Sequence, residues 1–277
     1  LSRWYTEATS QWTLDYPPLF GWFERGLAFF APLADRGILT LQAEPYDTPR
    51  TVLFQRCSVM LSDVLLVVGV LWQSSGAFVS SSKGTNIDRS RGGGANAWGV
   101  TPRGLALMLV AFSPGLLMVD HVHFQYNGMM LGLQLCALAL VGHGRPVLGA
   151  ALFSILLHMK HIFVYAAPAV AAHLLTYHVL EEYLVAAAAM GGKEGRAAVA
   201  AAEGAKTAMG RCVSFVIVAA ATTAASFGPV ARAGQLSNMF ARLFPFGRGL
   251  SHAYWAPNFW ALYNALDKTA VVCGKKI

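Results

Sequence analysis

Six apolar stretches, at about 51–72, 105–119, 129–141, 147–157, 163–177 and 212–227, set what this chain can fold into. In hydrocarbon no water satisfies an open N–H or C=O, so a spanning segment closes its backbone hydrogen bonds within itself, and stretches of this length are helices. A straight crossing takes about 20 residues. Several of the six are shorter, so they borrow flanking polar residues or cross where the bundle thins the membrane. Hydrophobic residues make up 55% of the chain and charged residues 13%, against about 25% charged in a soluble domain. The expected fold is therefore all-α and polytopic in the membrane. An earlier stretch, 19–33, sets Glu24 and Arg25 among Phe and Trp and is expected to lie in the interface as an amphipathic helix.

The net charge of +7 is spread through the loops. It forms no single basic face, so no nucleic-acid partner is expected, and the electrostatic partners are lipid head groups and phosphates. Cys57, Cys136, Cys212 and Cys273 stand singly in or beside apolar runs and read as small buried hydrophobes. If all six stretches cross, residues 1–50, 120–128, 160–161 and 230–260 fall on one side. The loops 73–103 and 178–211 and the turn 142–146 fall on the other. The two long loops read as low-complexity, solvated filler, the second as a helical hairpin or a disordered segment. Gly92, Gly93 and Gly94 lack the flanking strand and the Gly-Lys-Ser/Thr of a phosphate loop.

The chemically rich segments share one side. Asp15-Tyr16-Pro17-Pro18 holds a carboxylate and a ring in fixed relation through paired prolines, which suits a sugar hydroxyl and equally suits a capped turn. Asp120-His121-Val122-His123-Phe124-Gln125-Tyr126-Asn127-Gly128 puts polar groups at a membrane boundary, where they need water, a ligand or each other. In His158-Met159-Lys160-His161 the ammonium can meet a phosphate or snorkel. The run from Arg242 to Trp260 mixes arginines, His252, Asn258 and aromatics, as a ligand with an anionic head and a greasy tail requires. An aromatic belt with snorkelling arginines has the same composition. Asp63, inside the first span, is expected to cap or pair within the bundle. His121, His123, His158 and His161 also admit a metal reading across two hairpins, but no His-His pair or box spacing supports it.

Together, Trp12-Thr-Leu-Asp-Tyr-Pro-Pro18, His121-Val-His-Phe-Gln-Tyr-Asn-Gly128, Leu157-His-Met-Lys-His161 and the Arg242 to Trp260 run resemble the endoplasmic-reticulum dolichyl-phosphate-glucose glucosyltransferases. The resemblance covers nearly the whole chain outside the two long loops. Within that family, the run from His252 to Lys268 looks like the branch that adds the second glucose. The sister branch, adding the first, shares the Asp-Tyr-Pro-Pro and Phe-Pro-Phe-x-Arg-Gly-Leu elements but has a more acidic segment after them.

The resemblance implies a multi-helix glycosyltransferase of the endoplasmic-reticulum membrane with its site on the lumenal side and no cofactor or metal. Glucose would pass from dolichyl phosphate glucose to a monoglucosylated high-mannose oligosaccharide on dolichyl diphosphate, forming an α-1,3 bond with inversion. Such a reaction takes a carboxylate for the acceptor proton and cations for the leaving phosphate. The family's acidic motif is expected upstream of residue 1. The chain thus reads as one catalytic domain over 1–277, truncated at both ends, with no catalytic base assigned. Arg248, Lys160 and His252 are the expected phosphate and donor contacts. Asp15, Tyr16, Asp120, His123, Gln125 and Asn127 are expected to bind sugar or hold the site together, and His121, His161, Trp255 and Asn258 complete the substrate-facing set. A lipid-linked-sugar transporter would instead show inverted repeats, and a histidine-box oxidase would bind iron.

Overall fold

A computed structural model describes residues 3–9, 14–74, 101–181, 194–244 and 259–274. Among the described residues every regular element is helical: α1 (Pro18–Ala34), α2 (Pro49–Ser62), α3 (Val64–Gln73), α4 (Pro102–Ala111), α5 (Asn127–Gly142), α6 (Pro146–Met159), α7 (Ala167–Leu175), α8 (Glu194–Arg232), α9 (Leu236–Leu243) and α10 (Phe259–Val272). Proline recurs in the first turn of α1, α2, α4, α6 and α7. There its missing N–H is no loss and its fixed φ suits the helix. Threonines cap two of these starts: Thr48 Oγ1 accepts from Thr51 N at 3.3 Å, and Thr101 Oγ1 from Gly104 N at 3.1 Å.

Among the described residues, three helical stretches are long and apolar enough to cross a membrane: Pro49–Gln73, Arg103–Val122 and Ala202–Arg232. The first joins α2 to α3 through Asp63, and the second continues α4 through a short turn at Pro114–Leu116 into a π-helical turn, Leu117–Val122. The shorter helices α5 and α6 form an antiparallel pair packed between these. Helices α3 and α5 run in the same direction and touch through glycine: a Cβ on Gly132 would stand 2.4 Å from the backbone of Leu65, and one on Gly69 would stand 2.8 Å from the carbonyl oxygen of Gly132. Small residues permit this approach where hydrocarbon gives helices no hydrophobic reason to associate.

Two ends of the bundle follow. At one, Trp72 meets His143 with ring centroids 5.8 Å apart, Arg103 Nε donates to the Ser74 carbonyl at 3.3 Å, and Arg211 Nη1 donates to the His178 carbonyl at 3.0 Å. The other gathers the N-terminal segment, α1, the turn before α5, the end of α6 and α9. Two clusters hold it. Phe20, Met129, Met130, Phe153, Leu156 and Met159 join α1 to the α5–α6 pair, and Tyr5, Val230, Met239 and Leu243 fasten the N-terminal segment to α8 and α9.

Several expectations change: of the cysteines read as buried, Cys136 is buried but Cys57 and Cys273 are exposed, and helix bounds move. The stretch 163–177 does not start as a helix at Phe163: His161–Tyr165 is a 3₁₀ turn, and α7 begins at Ala167. Pro168 has no N–H to donate, and its ring would clash with the carbonyl of Val164. The span placed at 212–227 extends in both directions as α8. Of the two alternatives left open for this segment, residues 194–211 take the helical one, continuous with the span, because their alanines carry the highest helix propensity. The stretch 105–119 lengthens to Val122 through the π-helical turn.

Candidate functional site

The turn between the second span and α5 builds the floor of the site. Phe124 has φ of 58°, a left-handed conformation that a bulky residue adopts only when its surroundings impose it. The reversal brings Asp120 back over the start of α5. Tyr126, at the N-cap, offers that helix no side-chain acceptor. Asp120 does so from farther back: Oδ1 accepts from Asn127 N at 3.1 Å and Asn127 Nδ2 at 2.8 Å, and Oδ2 accepts from Gly128 N. The carboxylate is 1% exposed and answers two otherwise orphan N–H groups at the positive end of a helix. Beside it, His121 Nε2 lies 2.9 Å from Asp63 Oδ2, both side chains only partly buried.

Lys160 stands just past the end of α6 in an extended conformation. Its Nζ donates to Asn127 Oδ1 and, at 3.5 Å, to Gln125 Oε1, and it lies 5.5 Å from the centroid of the Tyr16 ring. Gln125 Oε1 also accepts from Asn127 Nδ2 at 3.0 Å, so the two amides are locked in orientation. Neither ion pair formed among the described residues includes Lys160. Burial pushes its pKa below the ordinary lysine value, an effect opposed by the charges of Asp120 and Asp15. The neighbouring His161 is also pushed down by burial, with Asp15 raising and Lys160 lowering it. Its Nδ1 is buried without a hydrogen-bond partner, and its ring lies 5.4 Å from that of Phe244.

Aromatic rings form the wall. Tyr16 stacks on Phe20 at 4.3 Å, Phe23 meets Tyr126 edge-on at 5.0 Å, and the Tyr126 hydroxyl shares a 2.8 Å hydrogen bond with Ser58 Oγ. Burial raises the phenols of Tyr16 and Tyr126 to about 12 and the Glu24 carboxyl to about 7. The N-terminal segment closes the side: Tyr5 Oη donates to the Tyr16 carbonyl at 2.8 Å, and Arg242 Nη2 donates to the Glu7 carbonyl at 2.9 Å. Arg242 Nη1 is buried and unpartnered.

Of the residues singled out from sequence, Asp15, Tyr16, Asp120, Gln125, Asn127, Lys160 and His161 come together here. Asp120 has no surface to offer a ligand and holds the turn instead. His121 is taken up by Asp63, while His123 is exposed and apart from this network. His158 bonds back to the Ser154 carbonyl at 2.8 Å and packs on Phe227, so the four histidines are used separately. Among the described residues no group of three or more His, Cys, Asp or Glu is placed to hold a metal. Arg248, His252, Trp255 and Asn258 lie outside the described residues.

Sequence reasoning assigned no role here to Glu24 or Ser58, and it set Arg242 among the arginines expected to meet an anionic head, whereas its Nη2 donates to the Glu7 carbonyl. Glu24 had a signal: it follows Phe20 by four residues, on the face of α1 that packs inward. Ser58 had none, and the contact of Arg242 with Glu7 was not legible, since each acts across a contact that only the folded chain creates.

Comparison with known proteins places the chain. Residues 1–276 match the family described as "ALG6, ALG8 glycosyltransferase family". The chain is similar to proteins named "Dolichyl pyrophosphate Glc1Man9GlcNAc2 alpha-1,3-glucosyltransferase" from Mus musculus (41% identical over 277 residues), Arabidopsis thaliana (39% over 278) and Bos taurus (39% over 277). All of this chain is covered in each case, with 48%, 46% and 48% of the respective relative. The chain spans about half the length of the curated relatives it matches.

Proposed function

Because this chain belongs to the ALG6, ALG8 glycosyltransferase family, we propose that it forms part of an enzyme moving glucose from dolichyl phosphate glucose to a monoglucosylated, dolichyl-diphosphate-linked oligosaccharide. The site would face the lumen of the endoplasmic reticulum. The observation that carries the chemical reading is Lys160: a half-buried ammonium held by two amide oxygens, in no ion pair among the described residues, at the polar end of an apolar bundle. Asp120 and Asp15 act on this cation from a distance without pairing with it, which leaves it able to meet an arriving anion directly.

In the proposed reaction the acceptor hydroxyl oxygen attacks the anomeric carbon of glucose as the bond from that carbon to the phosphate oxygen breaks. The configuration inverts, a carboxylate takes the hydroxyl proton, and dolichyl phosphate leaves with the bonding electrons. Negative charge grows on the leaving phosphate, and Lys160 with His161 beside it stabilises that charge more than it stabilises the bound donor. Gln125 and Asn127 hold Lys160 in place before the reaction, so little reorganisation remains. Asp15 and the Tyr16 ring supply the hydroxyl-bonding edge and the stacking face that a glucosyl unit needs. Asp120 is not the base, since its oxygens are already occupied by three N–H groups.

The test is reconstitution of the full-length protein with dolichyl phosphate glucose and either an unglucosylated or a monoglucosylated lipid-linked acceptor. The reading expects one glucose added to the monoglucosylated acceptor only. Addition to the unglucosylated acceptor would instead assign the chain to the first transfer. Addition to neither would contradict the reading.

A further inference from the structure

Asp63 and His121 pair with each other and make no contact with Lys160, yet one glycine couples them to the residues that hold it. A Cβ built on Gly128 would stand 2.5 Å from Asp63 Oδ1, 3.3 Å from Asp120 Oδ2 and 3.4 Å from Leu66 Cδ2. The two carboxylates thus flank the first turn of α5, with no room for a methyl group between them. Asp120 bonds the Gly128 N–H from one side. From the other, Asp63 stands where the first span passes from α2 to α3 and holds His121, the residue after Asp120, at 2.9 Å. Asp120 in turn orients Asn127, whose amide oxygen accepts from Lys160. Displacing Asp63 therefore moves the π-helical turn, then Asp120, then the seat of the ammonium.

We propose that Asp63 and His121 are positioning residues for glucosyl transfer, setting the place of Lys160 through Asp120 and Asn127 without touching either substrate. A carboxyl in an apolar span is costly to keep, and a partner that fixes the registry of a neighbouring turn is the best-attested use of such a pair. The inference rests on the transferase reading above, because its readout is transfer.

The experiment measures kcat and the KM for donor and acceptor in the reconstituted full-length protein, with the folded amount determined separately by size-exclusion chromatography. Wild type, Gly128→Ala, Asp63→Ala and the double variant form one cycle; Asp63→Asn, His121→Gln and their combination form a second. Each single variant is expected to lower kcat about tenfold or more per folded molecule, with both KM values within about threefold of wild type, as loss of an interaction made in the transition state requires. Within each cycle the double variant is expected to be no worse than its worse single, because residues acting through one contact are non-additive. Single variants with wild-type kcat would overturn the proposal, as would fully additive losses. A change confined to folded yield would reduce the pair to a structural role and overturn it too. If Gly128→Ala yields no folded protein, the second cycle decides alone. A wild-type protein that transfers no glucose would contradict the transferase reading instead.

Discussion

Arg242 Nη2 donates to the backbone carbonyl of Glu7 at 2.9 Å, tying α9 to a segment 235 residues earlier in the chain. With Tyr5 buried at 2% exposure against Val230, Met239 and Leu243, this contact holds the approach to Asp15 and Tyr16 beside the end of α6. Arg242→Ala removes a charge-assisted donor and the packing of its stem. A loss of about 1.5–3 kcal/mol is expected, read as a lower melting temperature of the purified protein. A melting temperature equal to wild type would remove Arg242 from the scaffold.

Asp120→Ala leaves three N–H groups without their acceptor, at a cost of about 1–3 kcal/mol for each donor that water does not reach. Very little folded protein is expected. Asp120→Asn keeps the volume but can turn only one oxygen towards donors on both sides, so an intermediate loss should appear in the same melting measurement. Wild-type stability in Asp120→Ala would contradict the capping role.

Glu24 gives a pH-dependent stability. Its folded pKa, about 7, lies above its ordinary value of 4.5, so the folded state holds the proton more tightly. Stability is greatest below the ordinary value, declines as pH rises from there to about 7, and stays reduced above. Glu24→Gln should raise the melting temperature at pH 8 and leave it unchanged at pH 4. Equal effects at both pH values would show that Glu24 is not protonated in the fold.

Much of this arrangement was legible before folding. The apolar runs announced an all-helical bundle, and alternation alone placed the polar segments at one end, where the structure brings 120–127, Lys160 and Asp15 together. What sequence could not assign was direction. Asp120 and Asn127 look alike as polar residues near a membrane, but one points into the turn and the other towards Lys160, because Phe124 reverses the chain between them. Over 194–211 the sequence left helix and disorder open, and alanine outweighed the scattered glycines and charges in favour of helix. Local patterning was overtrusted at Phe163, where Pro168 forbids the helix that the apolar period suggests.

Lys160 predicts the alkaline limb of transfer. Burial lowers its pKa, so the ammonium is lost at a lower pH than from an ordinary lysine, and transfer should fall there as pH rises. In Lys160→Arg the group stays charged throughout, so whatever activity remains should lack that limb. An unchanged limb in the arginine variant would assign the titration elsewhere.

The most direct measurement is single-turnover transfer of glucose from dolichyl phosphate glucose by the full-length protein carrying Lys160→Met, compared with wild type at saturating donor and acceptor. The methionine fills a similar volume without a charge, so the fold should survive. If Lys160 stabilises the leaving phosphate, the rate of the chemical step falls by a factor of about 100 or more, equivalent to about 2.7 kcal/mol of transition-state stabilisation. A correctly folded Lys160→Met protein that transfers glucose at the wild-type rate would contradict that role.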